Sequence, residues 1–122
     1  MITLKLPMPP SVNALYRAVP GRGVIKSARY RTWIQAAGVA LKEQKPAKVE
    51  GNYVLWAYCQ RQNKQRRDLG NLEKALSDIL VAHGVVTDDS ECVAIHLYWD
   101  GQGRECTVHV EPAQPIAMAR AA

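Results

Sequence analysis

The sequence predicts a single α/β domain, a mixed β-sheet with two helices packed on it in the order β-α-β-α-β-β. Three observations predict it. Residues 2–6, 93–99 and 106–110 alternate apolar with polar side chains, the period of a half-buried strand. Residues 27–44 and 71–82 carry apolar stripes at helical spacing. The two kinds of segment interleave along the chain, so helices must pack on a sheet rather than form a separate layer of their own. At 122 residues, 48% hydrophobic and 22% charged, the chain fits one domain with a sizeable core.

Each element has its local reason. Ile2, Leu4 and Leu6 alternate with Thr3 and Lys5, and Pro7, Pro9 and Pro10 end that strand. Residues 11–26 read as a loop containing Gly21 and Gly23 and the cations Arg17, Arg22 and Lys26. Ser27 is the expected N-cap of a helix running to about Gln44, with Tyr30, Trp33, Ile34, Ala37 and Leu41 on its apolar face and Pro46 beyond its end. Residues 52–61 are aromatic and β-branched on both faces, the signature of a buried central strand. Residues 62–67 form a polar, basic connection. A second helix from near Asn71 to Ala82 buries Leu72, Ala75, Leu76, Ile79 and Leu80, and Gly84 closes it. Val93, Ile95, Leu97 and Trp99 make one strand; Cys106, Val108 and Val110 make the last, expected as a hairpin with its predecessor across Gly101 and Gly103. Residues 1–111 form the domain and 112–122 a loose tail.

Composition narrows the function. The formal charge is +5 and unevenly spread: residues 1–67 hold 13 Lys or Arg against two Glu, while residues 68–122 hold three Lys or Arg against nine Asp or Glu. A basic half joined to an acidic half suits a polyanion partner with a separate acidic site. No apolar run approaches the roughly 20 residues of a membrane span, and no signal peptide is visible. Cys59, Cys92 and Cys106 are odd in number and lack C-x-x-C spacing, which fits a reducing cytoplasm. No zinc spacing and no glycine-rich phosphate motif is present, so neither a zinc site nor a nucleotide cofactor is expected. His83, His96 and His109 fall on three different elements, with His96 and His109 expected as cross-strand neighbours on the outer face.

The densest chemistry lies in Arg66-Arg67-Asp68-Leu69-Gly70-Asn71-Leu72-Glu73-Lys74, followed by Asp88-Asp89. Taken singly, Asp68 reads as a helix cap and Asp88-Asp89 as a polar turn. Taken together, and if the topology returns Asp89 to Asp68, the carboxylates can hold Mg²⁺ through oxygen. The ion would polarise a scissile phosphate and lower the pKa of the attacking water. Lys74 reads equally as a partner of Asp78 at i,i+4 or as a cation for the phosphorane and leaving group. Arg61, Lys64, Arg66 and Arg67 form one cationic bank, and Lys26, Arg22 and Arg17 a second, suited to DNA phosphates. Tyr16 or Tyr30 could stack on an opened base, although Tyr30 also reads as core and Tyr16 as loop packing.

These motifs resemble the RusA family of Holliday-junction resolvases, found in bacteria and often carried by prophages. The resemblance spans about residues 3–111. It rests on Pro7-Met8-Pro9-Pro10-Ser11-Val12-Asn13, on Arg66-Arg67-Asp68, on Asn71-Leu72-Glu73-Lys74 and on Gly84 followed by Asp88-Asp89. It implies a small α/β homodimer that binds four-way DNA junctions and cuts them symmetrically with Mg²⁺. The family's three aspartates would fall on Asp68, position 70 and Asp89, its lysine on Lys74, with Asp88 in support. Asn13 and Asn71 belong to the motif. Gly70 departs from the usual Asp-x-Asp-Asn pattern and removes one metal ligand. The resemblance therefore implies a structure-selective endonuclease of recombination and repair; the alternative is a junction or DNA binder that no longer cuts. A basic RNA-binding or structural protein, in which the acids only cap and turn, is a third reading.

Overall fold

The computed structural model describes residues 1–61 and 68–113. Its strands are β1 (Ile2–Pro7), β2 (Tyr16–Val19), β3 (Gly23–Lys26), β4 (Tyr53–Arg61), β5 (Cys92–Gln102) and β6 (Glu105–Pro112), and its helices are α1 (Ala28–Gln44) and α2 (Glu73–Ala82). The main sheet has the order β1-β6-β4-β5. β6 runs antiparallel to both β1 and β4, and β5 runs parallel to β4, so the sheet is mixed as expected. β4 and β5 are joined through α2, the crossover that a parallel pair requires.

Alternation sorts the two faces of this sheet. Leu4, Leu6, Leu55, Ala57, Cys59, Cys106, Val108 and Val110 are buried in one core with Trp33, Ala37 and Leu41 of α1 and Ala75, Leu76, Ile79 and Leu80 of α2. Losing one such leucine to alanine typically destabilises a protein by about 2–5 kcal/mol. The opposite face is lined by half-buried rings. Trp56 stacks on His96 with centroids 3.9 Å apart, and Tyr58 stacks on Tyr98 at 5.0 Å. His96 and His109 both lie here, but they flank Trp56 from either side rather than facing each other, because β4 separates their strands.

Three further expectations need correction. Residues 11–26 are not a plain loop: after a 3-10 turn at Val12–Ala14 they form an antiparallel hairpin, β2 against β3, with Tyr16 opposite Lys26. Its strands are largely exposed, so no buried face imposes an alternating pattern. β5 and β6 are not a hairpin, because β4 lies between them. The connection passes over the end of β4, where Gly103 N–H donates to Arg61 O at 3.0 Å. Gly103 has φ +148, and a Cβ there would run into the Gln60 side chain, so the crossing needs glycine. The second helix is preceded by a 3-10 turn at Leu69–Leu72, and its α-helical part starts at Glu73 rather than near Asn71.

The start of α1 is as expected. Ser27 Oγ accepts from Tyr30 N–H at 3.1 Å as the N-cap of α1, and also donates to Ala14 O at 2.6 Å. One hydroxyl thus ties the helix start to the chain just before the hairpin. α1 ends at Gln44, with Lys45 in the left-handed region as its C-cap. β6 continues to Pro112, and Ala113 N–H donates to Asn52 O at 2.9 Å, so the sheet takes up the first residues beyond 111. The rest of the expected tail, 114–122, lies outside the described residues, as does the basic connection 62–67. No helix among the described residues is long and apolar enough to cross a membrane.

Candidate active site

The candidate site is assembled around the first turns of α2. Asp68 caps the 3-10 turn that leads into the helix: its Oδ1 accepts from Gly70 N–H at 3.1 Å, and its carbonyl accepts from Asn71 N–H at 3.1 Å. This turn packs against β5 and against the Val12–Ala14 turn that carries Asn13. The proline-rich opening and the Asp68 turn, distant in sequence, are therefore neighbours in the fold.

Asp88 and Asp89 return to the same helix. Val85 and Val86 are buried, and Val85 O accepts from Val49 N–H at 2.8 Å, which anchors the chain as it leaves α2. A second 3-10 turn, Asp89–Glu91, then packs against α2. Asp89 is exposed at its start, and its charge acts on Lys74. Asp88 is tied down by the Ser90 hydroxyl, which donates to its Oδ2 and holds its carboxyl below the usual range.

Lys74 makes the local pair that its spacing predicts. Its Nζ lies 3.2 Å from Asp78 Oδ1, the expected i,i+4 pair. Hydrogen bonding and charge from Asp78, and then the charge of Asp89, raise its pKa, so the ammonium stays protonated beside the acids. Its side chain keeps 48% exposure.

Two groups here carried no functional signal in the sequence. Tyr53, at the start of β4, has a buried hydroxyl without a hydrogen-bond partner among the described residues. Burial raises its pKa, followed by the charges of Cys92 and Asp89. Glu91 Oε2 is likewise a buried acceptor without a partner, two residues from Asp89. Both look like ordinary strand and turn positions until the turn after α2 is folded back. Glu73 is engaged locally, accepting from the Ser77 hydroxyl.

The cationic banks are placed in part. Arg61 ends β4 with its guanidinium 4.6 Å from the centroid of the Trp99 ring. Lys26 and Arg17 are exposed on the hairpin, and Arg22 sits in its turn. Lys64, Arg66 and Arg67 lie outside the described residues.

The donor chemistry suits a hard divalent cation. Asp68, Asp89, Asp88 and Glu91 all carry carboxylate oxygens, the donor type such a cation takes. Among the described residues no three Asp, Glu, His or Cys side chains gather into a ready metal cage. At Gly70, a Cβ would meet only Asp68 Oδ1, at 3.5 Å, and the backbone is not in the left-handed region. Nothing in the fold demands glycine there.

Comparison with known proteins agrees with the motifs. The family model described as Endodeoxyribonuclease RusA matches residues 7–111. A protein named Crossover junction endodeoxyribonuclease rusA, from Enterobacteria phage 82, is 31% identical over 99 residues, covering 74% of this chain and 75% of its own length. The matched span takes in the proline-rich opening, both acidic turns, α2 and, of the main sheet, β4, β5 and β6 up to Glu111, with β1 entering only at Pro7. The chain belongs to the RusA endodeoxyribonuclease family.

Proposed function

We propose that this protein is a Mg²⁺-dependent, structure-selective endonuclease that resolves Holliday junctions by paired symmetric nicks. The observation that supports the reading is that the Asp89 turn packs back against α2, the helix that the Asp68 turn leads into, and that the charge of Asp89 acts on Lys74 of that helix. Asp68 and Asp89 would hold the ion, with Asp88 in support. When bound, Mg²⁺ supplies Lewis-acid polarisation of the scissile phosphate. Lys74, kept cationic by Asp78 and Asp89, would neutralise the charge that develops on the leaving oxygen. Arg61, Lys26 and Arg22, together with Lys64, Arg66 and Arg67, would hold the backbone through phosphates without reading sequence.

A homodimer fits the substrate, since a four-way junction has two-fold symmetry and resolution needs two matched cuts. Three free cysteines suit a reducing cytoplasm, where such DNA would be met. Gly70 favours a second reading, a junction binder that has lost a catalytic ligand. Removing one carboxylate beside phosphate lessens repulsion, so binding can persist where cutting fails.

Incubating the unmodified protein with an end-labelled synthetic four-way junction, with Mg²⁺ or with EDTA, tests the proposal. Symmetric paired nicks that need Mg²⁺ support the endonuclease. Junction-selective binding without nicks supports the binder, and indifference to branching sinks both.

A further inference from the structure

Beside the Lys74–Asp78 pair the hairpin and α1 form a concavity over α2. It has a volume of about 180 Å³ and is lined by Tyr16 and Lys26 of the hairpin, Tyr30 of α1, and Asp78, Ile79 and Ala82 of α2. Asp78 therefore links the two: its carboxylate pairs with Lys74, and the residue also lines this cavity. Tyr16 also lies close enough for its phenol to influence Lys74.

The rings of this cavity differ from the rest. Tyr30 is buried and stacked on Trp33, with centroids 6.4 Å apart. Tyr16 touches Tyr30 edge-to-face at 5.8 Å, makes no parallel stack among the described residues, and is 43% exposed. Its ring is thus held in place while retaining accessible surface. The rings of the outer sheet face stack on one another instead, and none of them lines this cavity. Lys26 stands opposite Tyr16 in the hairpin register and is exposed.

We propose that this cavity is a subsite for one unstacked nucleobase of the bound strand, with Tyr16 as its stacking platform and Lys26 as the phosphate contact at its rim. The assignment rests on the nucleic-acid reading given above. Drug-sized ligands occupy roughly 300–1,000 Å³, so this smaller space suits a single planar ring. An aromatic platform beside a cation is the combination that binds single-stranded nucleic acid. At a branch point the duplex stack is already interrupted, which lowers the cost of moving a base out. A base held here would fix the adjoining phosphates against Lys74.

The test uses the full chain and a four-way junction with 2-aminopurine beside the cut phosphate. Affinity and 2-aminopurine emission are read in EDTA, and nicking in Mg²⁺, for the unmodified protein, Tyr16→Phe, Tyr16→Leu and Lys26→Ala. Base–aromatic stacking predicts that Tyr16→Phe stays within about twofold of the unmodified protein, while Tyr16→Leu loses roughly tenfold in affinity or nicking. Emission should be quenched on binding by the first two proteins and stay bright with Tyr16→Leu. Lys26→Ala should lower the salt dependence of binding by about one phosphate contact. Tyr16→Leu matching the unmodified protein in emission, affinity and nicking overturns the subsite. Failure of the unmodified protein to bind the junction overturns the functional reading and the subsite with it, and is distinguishable because it appears before any substitution.

Discussion

Gly70 N–H donates to Asp68 Oδ1 at 3.1 Å, and a Cβ added at Gly70 would lie 3.5 Å from that same oxygen. Any side chain introduced at position 70 therefore starts beside the Asp68 carboxylate, on a backbone that accepts it.

Gly70→Asp should raise Mg²⁺-dependent nicking by at least about tenfold, because it adds a third hard ligand next to Asp68. Stability should change by no more than about 1 kcal/mol: the reduced freedom of the unfolded chain offsets the repulsion between the two carboxylates. Single-turnover nicking and urea unfolding of the two proteins check both halves. Unchanged nicking would mean that position 70 does not face the ion.

Lys74 separates chemistry from folding. Its raised pKa means that the pair with Asp78 contributes stability below the normal lysine range, near 10.4, and loses it as pH climbs through the higher folded value. An exposed i,i+4 pair is worth only about 0.3–0.5 kcal/mol. Asp78→Asn should therefore lower urea stability by no more than that at neutral pH, and the difference should close in strong alkali. Lys74→Ala should leave the fold intact yet slow nicking by on the order of a hundredfold, through loss of a cation beside the developing charge. Near-normal nicking by Lys74→Ala would reduce Lys74 to a surface partner of Asp78.

Ser27 is the joint between hairpin and helix. Ser27→Ala removes both the N-cap bond to Tyr30 N–H and the bond to Ala14 O. The expected loss is about 2 kcal/mol, the sum of a cap and a part-buried hydrogen bond. Urea unfolding measures it, and a loss below about 0.5 kcal/mol would show that the joint is not a stabilising contact.

The thiols should be shielded in the native protein. Cys59 and Cys106 are fully buried with their sulfurs 2.9 Å apart, and burial raises the Cys92 thiol, which is half-buried. Brief iodoacetamide treatment at pH 8 should leave Cys59 and Cys106 unmodified in native protein and label all three in urea, as read by mass spectrometry. Rapid native labelling of Cys59 or Cys106 would contradict the packing of β4 against β6.

Local signals made most of this legible. Alternation marked β1 and β6, helical spacing marked α1 and α2, and Ser27 announced its helix because a serine before an apolar stripe has an orphan N–H to satisfy. The i,i+4 spacing of Lys74 and Asp78 likewise foretold their pair. What was missed depends on distant partners. The β2–β3 hairpin has little buried surface to stamp a pattern on its residues. The order β6-β4-β5 cannot be read from β5 and β6, whose short connection suggests a hairpin until β4 is placed between them. The convergence of Tyr16 and Lys26 on Asp78 exists only once that hairpin folds over α2. Whether Asp89 returns toward Asp68 was left open by the sequence, and it is the burial of Val85 and Val86 that folds the Asp89 turn back against α2.

The most direct test of the central claim is a double-mutant cycle at the two acidic turns. Single-turnover nicking of a labelled four-way junction would be measured in Mg²⁺ for the unmodified protein, Asp68→Asn, Asp89→Asn and the double variant. If both carboxylates serve one ion, each single change should remove nearly all nicking and the double should be little worse than either. Losses that multiply independently, or a single variant that nicks normally, would contradict a shared site.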